Sequence, residues 1–343
     1  MRQLPLFIAI LCLLSSCNTD EKSPFEYVDV FIGTGGHGHT HPAATLPFGM
    51  MQLGPDTRLE GWDGCSGYHY LDNRIYGFSH THLSGTGVGD YNDLLIMPST
   101  SPILNDKETL ASVFSKSNEH AEPGYYQVFL DDENIQVELS STERGGIHKY
   151  KSLNGESIWV SLDLQHRDEL LETDIFQVDE YTLQGKRISK AWAEEQHFYF
   201  FLRFSEKIKQ INYANQGRNL SVLFKDDPDY VELRVAMSAV DEAGARKNFE
   251  AELQSKTFED IRSSARTRWE DQLNRIQVEG DESMKINFYT SLYHTSIVPN
   301  LFVDVDGRYR GTDLMIHTAE NHKQYTVFSL WDTYRAAHPL YTL

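Results

Sequence analysis

The spacing of apolar residues changes near residue 240, and this change constrains the fold more than any other feature of the chain. Before it, apolar and polar residues alternate, as at residues 135–139, and β-branched or aromatic runs recur at residues 158–164 and 197–204. Gly, Asn and Asp residues separate these runs, which is typical of antiparallel strands in a β-sandwich. After it, apolar residues recur three or four positions apart, as on one face of a helix. The sequence therefore predicts a mainly β chain in which helices follow a sandwich.

The pattern divides the chain into predicted segments. Residues 24–240 are predicted to form an antiparallel β-sandwich, and residues 241–280 a helical linker. Within the linker, Thr257 and Asp260 resemble a capping box, with Asp in place of the usual Glu or Gln. A helix is therefore expected to begin immediately after Thr257.

An all-helical domain is predicted to begin at residue 281 and to occupy residues 281–343. Its first helix is expected to bury one face that carries Met284, Phe288 and Leu292. A second amphipathic helix is predicted over residues 328–343, with Ser329 as its N-cap. No C-cap residue ends this helix and no partner helix follows it, so we expect the domain to be cut off and to continue beyond Leu343.

The start of the chain has the order of an export signal. Arg2 precedes an apolar run over residues 4–14, and two serines then lead to Cys17. This order resembles a bacterial lipobox, in which the cysteine is acylated after the segment before it is removed. Residues 1–16 are therefore predicted to be a lipoprotein signal peptide, Cys17 the lipidation site, and residues 17–23 a polar tether.

Acylation of Cys17 would make the protein an exported lipoprotein anchored to the outer membrane, on its periplasmic or its cell-surface face. Asp20 and Glu21 resemble the acidic signals that direct some lipoproteins to the surface. The alternative is an ordinary secretory signal in which Cys17 is incidental. Since Cys12 would leave with the signal, Cys65 has no partner, and the fold is predicted to lack disulfides.

The charge balance restricts the partners of the protein. The sequence has 31 Lys and Arg against 50 Asp and Glu residues, a formal net charge of −19. Such a surface repels nucleic acid and is better suited to neutral or cationic ligands. No nucleic-acid partner is therefore expected.

A glycine-rich segment at residues 32–42 contains His37, His39 and His41, and the segment 46–50 follows it. Alternate histidines suit a zinc site, but no further ligand stands at a familiar zinc spacing, so no metal ligand is assigned here. A phosphate-binding loop is also disfavoured because the third glycine and the Gly-Lys-Ser/Thr ending are absent. The prediction is a loop whose backbone closely approaches a ligand, with imidazoles as hydrogen-bonding groups.

Residues 61–70 combine an indole, a carboxylate, hydroxyls and glycines in one turn-rich stretch that includes Trp62, Asp63 and Tyr68. Sugars require this mixture, because their C–H faces stack on aromatic rings while their hydroxyls need donors and acceptors. The alternative is that Trp62 is a large core residue. Residue spacing does not distinguish the two.

Residues 77–87 contain Ser79, His80 and His82, and Asp90 follows shortly after them. A Ser-His-Asp triad is disfavoured because no strand-to-helix Gly-x-Ser-x-Gly turn presents the serine. The histidines therefore remain candidates for binding rather than for nucleophilic catalysis.

Residues 328–335 contain Trp331, Asp332 and Arg335 near a predicted helix start, where an acidic residue is favoured by the helix dipole. One interpretation is a capped helix in which Trp331 and Arg335 stack one turn apart. The other makes Trp331 and Asp332 the wall of a sugar subsite.

Taken together and in this order, the four stretches resemble glycoside hydrolase family 92, most of whose characterised members are exo-acting α-mannosidases. The resemblance covers essentially the whole chain after the signal. It implies an N-terminal β-sandwich, helical linkers and a C-terminal (α/α)6 barrel, with the active site between the two domains. It also implies Ca²⁺ as a cofactor that contacts the sugar hydroxyls, with most of its ligands beyond Leu343.

The resemblance further implies inversion at the anomeric centre by a glutamic acid and an aspartate. Both are expected beyond Leu343, so no catalytic residue is assigned in this chain, and the 343 residues alone are expected to be inactive. By position in the motifs, the expected substrate-binding residues are Trp62, Asp63, Tyr68, His80, His82, Trp331, Asp332 and Arg335.

The expected function is therefore the N-terminal part of an inverting exo-α-mannosidase of the α-1,2 type. Its substrates would be α-mannoside glycans, including the N-glycans of glycoproteins. A carbohydrate-binding sandwich without catalytic activity is the alternative, because the acid and base are not expected within the chain. An amidase acting on N-linked glycoproteins is a third class, but its nucleophile or acid pair has no counterpart among these motifs.

Overall fold

The computed structural model describes residues 22–102 and 111–343. These residues form two antiparallel β-sheets followed by helices, which confirms the predicted mainly β fold with an N-terminal sandwich. The predicted signal peptide and the lipidation site Cys17 lie outside the described residues. None of the helices described is both long and apolar enough to cross a membrane.

The first sheet has seven strands among the described residues. In spatial order they are β1 (Ala44–Thr45), β2 (Gln52–Asp56), β4 (Gly77–Ser79), β5 (Leu95–Ser99), β11 (Trp159–Asp163), β16 (Asn219–Phe224) and β15 (Ile208–Ala214). Each neighbouring pair is antiparallel. Since sequence neighbours such as β15 and β16 are also spatial neighbours, short turns connect part of the sheet.

The second sheet has eight strands among the described residues. In spatial order they are β12 (Glu169–Asp179), β13 (Thr182–Lys190), β14 (Gln196–Phe204), β17 (Tyr230–Ser238), β10 (Gly145–Ser152), β9 (Ile135–Ser141), β8 (Tyr125–Leu130) and β7 (Glu119–Glu122). All of these pairs are antiparallel as well. The alternating segment at residues 135–139 lies in β9, where buried and half-buried residues alternate from residue 135 to residue 139.

Three two-stranded sheets and the helices complete the structure. The small sheets pair β3 (Arg74–Ile75) with β6 (Ser112–Val113), β18 (Asn300–Leu301) with β21 (Tyr325–Thr326), and β19 (Arg308–Arg310) with β20 (Ile316–Thr318). The α-helices are α1 (Glu242–Glu252), α2 (Phe258–Leu273), α3 (Glu282–Thr295), α4 (Leu330–Thr333) and α5 (Ala337–Leu340). Single 3-10 turns lie at Pro24–Tyr27, Trp62–Gly64, Lys116–Asn118 and Asn215–Gly217. The last strand of the sandwich ends at Ser238 and α1 begins at Glu242, on either side of the change in apolar spacing.

One hydrophobic core fills the space between the two sheets. It draws alternate residues from strands of both, including Leu53, Ile96 and Val160 from the first sheet and Val137 and Leu233 from the second. Burial of apolar surface stabilises the fold by roughly 25 cal/mol per Å². The only described cysteine, Cys65, is buried and unpaired, so this core stands without disulfides in the described residues.

Helix α2 docks on the sandwich through the apolar face that its sequence predicts. Thr257 and Asp260 form the predicted capping box at its start. Trp269, fully buried on this face, donates from its indole Nε1 to the Thr45 carbonyl oxygen at 2.7 Å. The helical linker is thereby tied to β1.

The buried face of α3 differs from the prediction. Leu292 is buried as predicted, but Met284 is 63% exposed, and Tyr289 and Tyr293 are buried instead. The reason is tertiary packing: Tyr293 lies 4.6 Å from the Trp269 ring. Aromatic contacts of this kind are favourable beyond the area they bury, and they set the rotation of the helix.

The predicted long helix over residues 328–343 is wrong, because the structure has two four-residue helices there, α4 and α5. Ser329 occupies the N-cap position of α4, but its hydroxyl donates to the Asp332 carboxylate instead of accepting a backbone N–H. The stack of Trp331 on Arg335, one of the two interpretations of this segment, does not form in the described residues, where the Arg335 guanidinium lies over the Tyr334 ring. Segments this short gain too little from helix propagation to extend without tertiary contacts.

Candidate functional site

Trp62 presents an exposed indole at one edge of the sandwich. It begins the 3-10 turn Trp62–Gly64 that follows β2, and it is 57% exposed. The His39 ring meets the indole edge-on, with centroids 4.2 Å apart, and the His37 ring lies at 5.1 Å. Two imidazoles therefore fix the orientation of an aromatic surface that faces solvent.

Asp63 holds both of these histidines. Its Oδ1 lies 2.7 Å from His37 Nδ1 and 3.3 Å from His39 Nε2. The hydrogen bond from His37 is the main reason that the pKa of the Asp63 carboxyl lies below its ordinary value, despite desolvation. Asp63 is thus an ionised acceptor, and both histidines contact its Oδ1 rather than its Oδ2.

The loop at residues 85–93 closes the other side of Trp62. The Thr86 carbonyl oxygen accepts from His39 Nδ1 at 2.9 Å and from the Cys65 thiol at 3.0 Å. At Gly87, an added Cβ would lie only 2.9 Å from the Trp62 indole nitrogen. Only glycine allows the backbone to approach the indole this closely.

Asp56, the last residue of β2, is a buried hub beneath this surface. Its Oδ1 accepts from Asn92 Nδ2 at 2.6 Å and lies 3.3 Å from His82 Nε2, while its Oδ2 lies 3.4 Å from His166 Nε2. Burial by itself raises the pKa of the Asp56 carboxyl. The charges and hydrogen bonds of His82 and His166 outweigh burial and hold that pKa well below its ordinary value.

Gly67 packs the segment 61–70 closely against Asp56. Its φ is +82°, and a Cβ added there would lie 2.3 Å from Asn92 Nδ2 and 2.4 Å from Asp56 Oδ1. Both the backbone conformation and the close approach require glycine. Asp56, at the end of β2, therefore contacts both Gly67 of the segment 61–70 and His82 of the segment 77–87.

Arg167 joins the two loops that surround Trp62. Its Nη1 donates to the Gly64 carbonyl oxygen at 3.0 Å and to Asn92 Oδ1 at 2.6 Å. Its own carbonyl oxygen accepts from the fully buried Arg187, which forms an ion pair with Asp93. Charge-assisted hydrogen bonds of this kind are stronger than neutral ones.

Sequence reasoning missed Asp56, Arg167 and His166. The strand alternation gives no signal for a buried carboxylate, and about a hundred residues separate the 64–67 turn from Arg167 and His166. The backbone at Tyr91, Asn92 and Leu94 has φ values of 71°, 58° and 52°. Such conformations in non-glycine residues concentrate at functional sites, but they are not visible in sequence.

The expected binding residues of the sandwich separate into two groups in the structure. Trp62 and Asp63 lie together at the exposed edge, with His82 in the buried layer beneath them. Tyr68 is 1% exposed, and its hydroxyl contacts Glu119 at 3.0 Å. His80 is fully buried and contacts His148. As placed, Tyr68, His80 and His82 support the loops rather than face solvent.

The expected binding residues of the helical part lie in and after α4. Trp331 is 86% exposed, and the exposed Arg335 donates to the Tyr334 hydroxyl at 2.7 Å. Asp332 accepts from Ser329. Within the described ranges, no hydrogen bond or ring contact joins these three residues to Trp62 or Asp63. The structure therefore does not bring the two expected halves of the site into contact.

No metal-binding cluster forms in the part of the chain that the structure describes, where no three His, Cys, Asp or Glu side chains are grouped to hold an ion. His37 and His39 instead converge on one carboxylate. Ca²⁺ takes about six to eight oxygen ligands, and the described residues do not supply such a set. They therefore do not fit a complete calcium site.

Comparison with known proteins identifies the family. Residues 27–277 match the glycosyl hydrolase family 92 N-terminal domain, and residues 244–343 match the family 92 catalytic domain. The chain is also 25% identical to an uncharacterised secreted glycosidase of Arthroderma benhamiae, over 81% of this chain and 42% of that protein.

Solved structures give the same family. The family GH92 α-mannosidase BT3965 from Bacteroides thetaiotaomicron is 34% identical with a TM-score of 0.86, covering 94% of this chain and 47% of that one. The inverting mannosidase BT2199 from the same species is 26% identical with a TM-score of 0.81, covering 94% and 46%. This chain thus spans about half the length of the relatives it matches. With family-model matches that extend from residue 27 to residue 343, the chain belongs to glycosyl hydrolase family 92.

Proposed function

We propose that this chain contributes the sandwich side of the sugar site in an inverting exo-α-mannosidase that removes terminal α-mannose from glycans. The observation that carries the proposal is the exposed Trp62 indole, oriented by His37 and His39 beside an ionised Asp63. An indole face suits the C–H face of a sugar, and Asp63 Oδ2 can accept from a hydroxyl. Mannose is proposed as the sugar because relatives in the family are named as mannosidases, and one of them was solved with mannoimidazole.

Asp63 is suited to binding rather than to proton donation. An inverting glycosidase needs a carboxylic acid with a raised pKa and a carboxylate base, about 6.5–9.5 Å apart. The pKa of Asp63 is instead lowered by its histidines. We assign Asp63 to hydroxyl recognition and assign no residue of this chain as acid or base.

Binding of mannosides tests the site directly. Titration calorimetry of the chain with methyl α-mannoside should give an affinity that Trp62→Ala lowers by about three- to tenfold, the value of one aromatic contact. Trp62→Phe should recover part of it. Leu153→Ala removes an apolar side chain that is 58% exposed elsewhere on the sandwich and serves as the matched control. Equal affinities for the unchanged chain and Trp62→Ala would contradict the proposal.

Substrate preference and stereochemistry need a turnover assay. We propose α-1,2-linked mannose as the preferred substrate, with N-glycans of glycoproteins among the natural ones. Mannose release is measured from α-1,2-, α-1,3- and α-1,6-mannobiose and from a high-mannose glycoprotein, for this chain and for any longer product of its reading frame. NMR of the first product should show β-mannose, and first-formed α-mannose would rule out inversion.

We propose calcium as the cofactor of the reaction. When bound, a hard cation of this kind would coordinate sugar hydroxyls and favour a distorted ring. Chelation should abolish mannose release, and Ca²⁺ rather than Mg²⁺ should restore it. Because the described residues offer no complete ligand set, methyl α-mannoside binding at Trp62 should survive in part after chelation. Turnover that chelator leaves unchanged would exclude calcium.

We also propose export as an outer-membrane lipoprotein acylated at Cys17. The order of residues 1–17 supports this, and a relative is named as a secreted glycosidase. Cells fed labelled palmitate should incorporate the label into the protein, and Cys17→Ser should abolish incorporation while Cys65→Ser does not. Label retained in Cys17→Ser would exclude this anchor.

A further inference from the structure

A second exposed tryptophan stands on the same sandwich as Trp62. Trp192 lies in the turn between β13 and β14 and is 78% exposed. No ring contact or cation–π contact in the described residues involves its indole. Single exposed apolar side chains are common on protein surfaces, so what distinguishes Trp192 is how its turn is held.

The turn that carries Trp192 is fixed rather than free. The Ala191 N–H donates to the Ala193 carbonyl oxygen at 3.1 Å, which closes the turn. The Ala193 N–H donates to Asp90 Oδ2 at 2.9 Å, and Asp90 is buried. Asp90 Oδ1 in turn accepts from the Tyr91 N–H at 2.9 Å. The backbone on both sides of Trp192 is therefore held in place.

The residue that holds this turn belongs to the loop that contacts Trp62. Gly87 lies against the Trp62 indole, and Asp90 is three residues further along. Three residues of chain span at most about 10 Å. One short loop, in which Asn92 Oδ1 accepts from Arg167 Nη1 at 2.6 Å, therefore connects the supports of both exposed tryptophans.

Polar groups flank Trp192, as sugar hydroxyls require. Lys190 at the end of β13 and Glu194 and Glu195 in the turn are exposed, and Glu195 Oε2 lies 3.1 Å from His197 Nε2. An indole surrounded by charged donors and acceptors suits a carbohydrate better than a purely apolar partner.

From this geometry we infer that Trp192 is a second aromatic platform, which binds sugar units of the glycan beyond the terminal mannose. The inference rests on the proposed function and deepens it, because it adds an outer carbohydrate subsite to the one at Trp62. A short mannoside reaches only the Trp62 surface, whereas a longer chain of mannose units contacts both.

The test compares a short and a long ligand. Calorimetry with methyl α-mannoside and with a linear α-mannan oligosaccharide is applied to the unchanged chain, Trp192→Ala, Trp192→Phe, Trp62→Ala and the control Leu153→Ala. Trp192→Ala should lower the affinity for the oligosaccharide about three- to tenfold and leave the affinity for methyl α-mannoside unchanged. Trp192→Phe should recover part of the loss, and Trp62→Ala should weaken both ligands.

The outcomes separate the two claims. Suppose that Trp62→Ala lowers the affinity for both ligands. If Trp192→Ala then lowers the affinity for neither ligand, or for both equally, the outer subsite is wrong while the proposed function stands. If the unchanged chain binds neither ligand, both claims fail. Sedimentation of each variant distinguishes a protein partner: a change of oligomeric state in Trp192→Ala, without a change in oligosaccharide affinity, would show that a second copy covers the indole.

Discussion

The rings of His80 and His148 face each other inside the sandwich, with their Nε2 atoms 3.1 Å apart. His80 Nδ1 donates to the Leu94 carbonyl oxygen at 2.9 Å, so its Nε2 is the acceptor when the ring is neutral. His148 then donates from Nε2 and accepts the Tyr150 hydroxyl proton at Nδ1, at 2.7 Å. Each ring therefore holds one proton, and a second proton would set two donors against each other.

This pair should make the fold sensitive to acid. Burial lowers the pKa of His80 to about 4 and that of His148 well below its ordinary value. An unfolded histidine titrates near 6.5, so the unfolded chain binds more protons below that pH. Stability is fully present above about pH 6.5 and falls as the pH drops toward 4, by about 2 kcal/mol for His80 between pH 7 and pH 5.

Urea unfolding at pH 7 and pH 5 measures this effect. His148→Leu should lower the free energy of unfolding at pH 7, because the Tyr150 hydroxyl loses its acceptor, and should also reduce the pH dependence. The exposed His120→Asn should change neither quantity. An unchanged pH dependence in His148→Leu would show that the pair does not cause the acid sensitivity.

Asp304 should act in the opposite direction. Burial raises the pKa of its carboxyl to about 6, although Ser238 and Asn248 donate to it at 2.7 and 2.8 Å. The folded protein therefore binds more protons than the unfolded chain between about pH 4 and pH 6, and stability falls as the pH rises through that window. The free energy of unfolding of Asp304→Asn, relative to that of the unchanged chain, should be about 2 kcal/mol higher at pH 7.5 than at pH 4.5. Urea unfolding of both proteins at the two pH values checks this, and an equal difference at both would contradict it.

Two glycines with nearly the same positive φ differ in what surrounds an added Cβ. Gly61 has a φ of +80° with nothing within 4 Å of an added Cβ, whereas Gly67, at +82°, would collide with Asn92 and Asp56. Gly61→Ala should cost about 1–3 kcal/mol of stability through backbone strain alone, because its ψ of 169° at positive φ lies in a region that is essentially confined to glycine. Gly67→Ala should cost about 1–3 kcal/mol more, and it should also weaken mannoside binding. Thermal unfolding and calorimetry of both variants test this. Equal losses of stability and of mannoside affinity would show that the packing of Gly67 against Asp56 does not support the site.

Arg167 should hold the Trp62 turn against the loop at residues 85–93. Arg167→Ala removes the donor to Gly64 and Asn92 and should cost about 1–3 kcal/mol. It should also weaken mannoside binding, while Arg167→Lys should recover only part of the loss because an ammonium lacks the planar fork. Lys209→Ala, which removes an exposed ion pair with Asp227, is the control and should shift stability by less than about 1 kcal/mol. Normal binding by a destabilised Arg167→Ala would make the residue structural only.

Local features of the site were open to prediction, whereas its support was not. Trp62 and Asp63 are adjacent in a turn-rich segment, and a short segment of this kind presents its side chains together whatever surrounds it. The packing of His37 and His39 against them depends on how a glycine-rich loop folds back across some twenty residues. That return path is set by the sheet and has no local signal.

Burial divided the expected site residues in a way that residue type did not indicate. Tyr68 and His80 were expected to face the sugar with Trp62 and Asp63, yet their side chains bond to Glu119 and His148 inside the protein. The partners come from strands of the opposite sheet, so the pairing requires the complete sandwich.

The sequence by itself determined the mainly β fold, the change to helices near residue 240 and the capped start of α2, because strand alternation, helical spacing and capping act over a few neighbouring residues. Only the tertiary structure decided the rotation of α3, the break between α4 and α5, and the convergence of Asp56, His82 and Arg167 beneath Trp62. These depend on contacts between residues far apart in the chain, whose energies exist only once the two sheets have paired and excluded water between them.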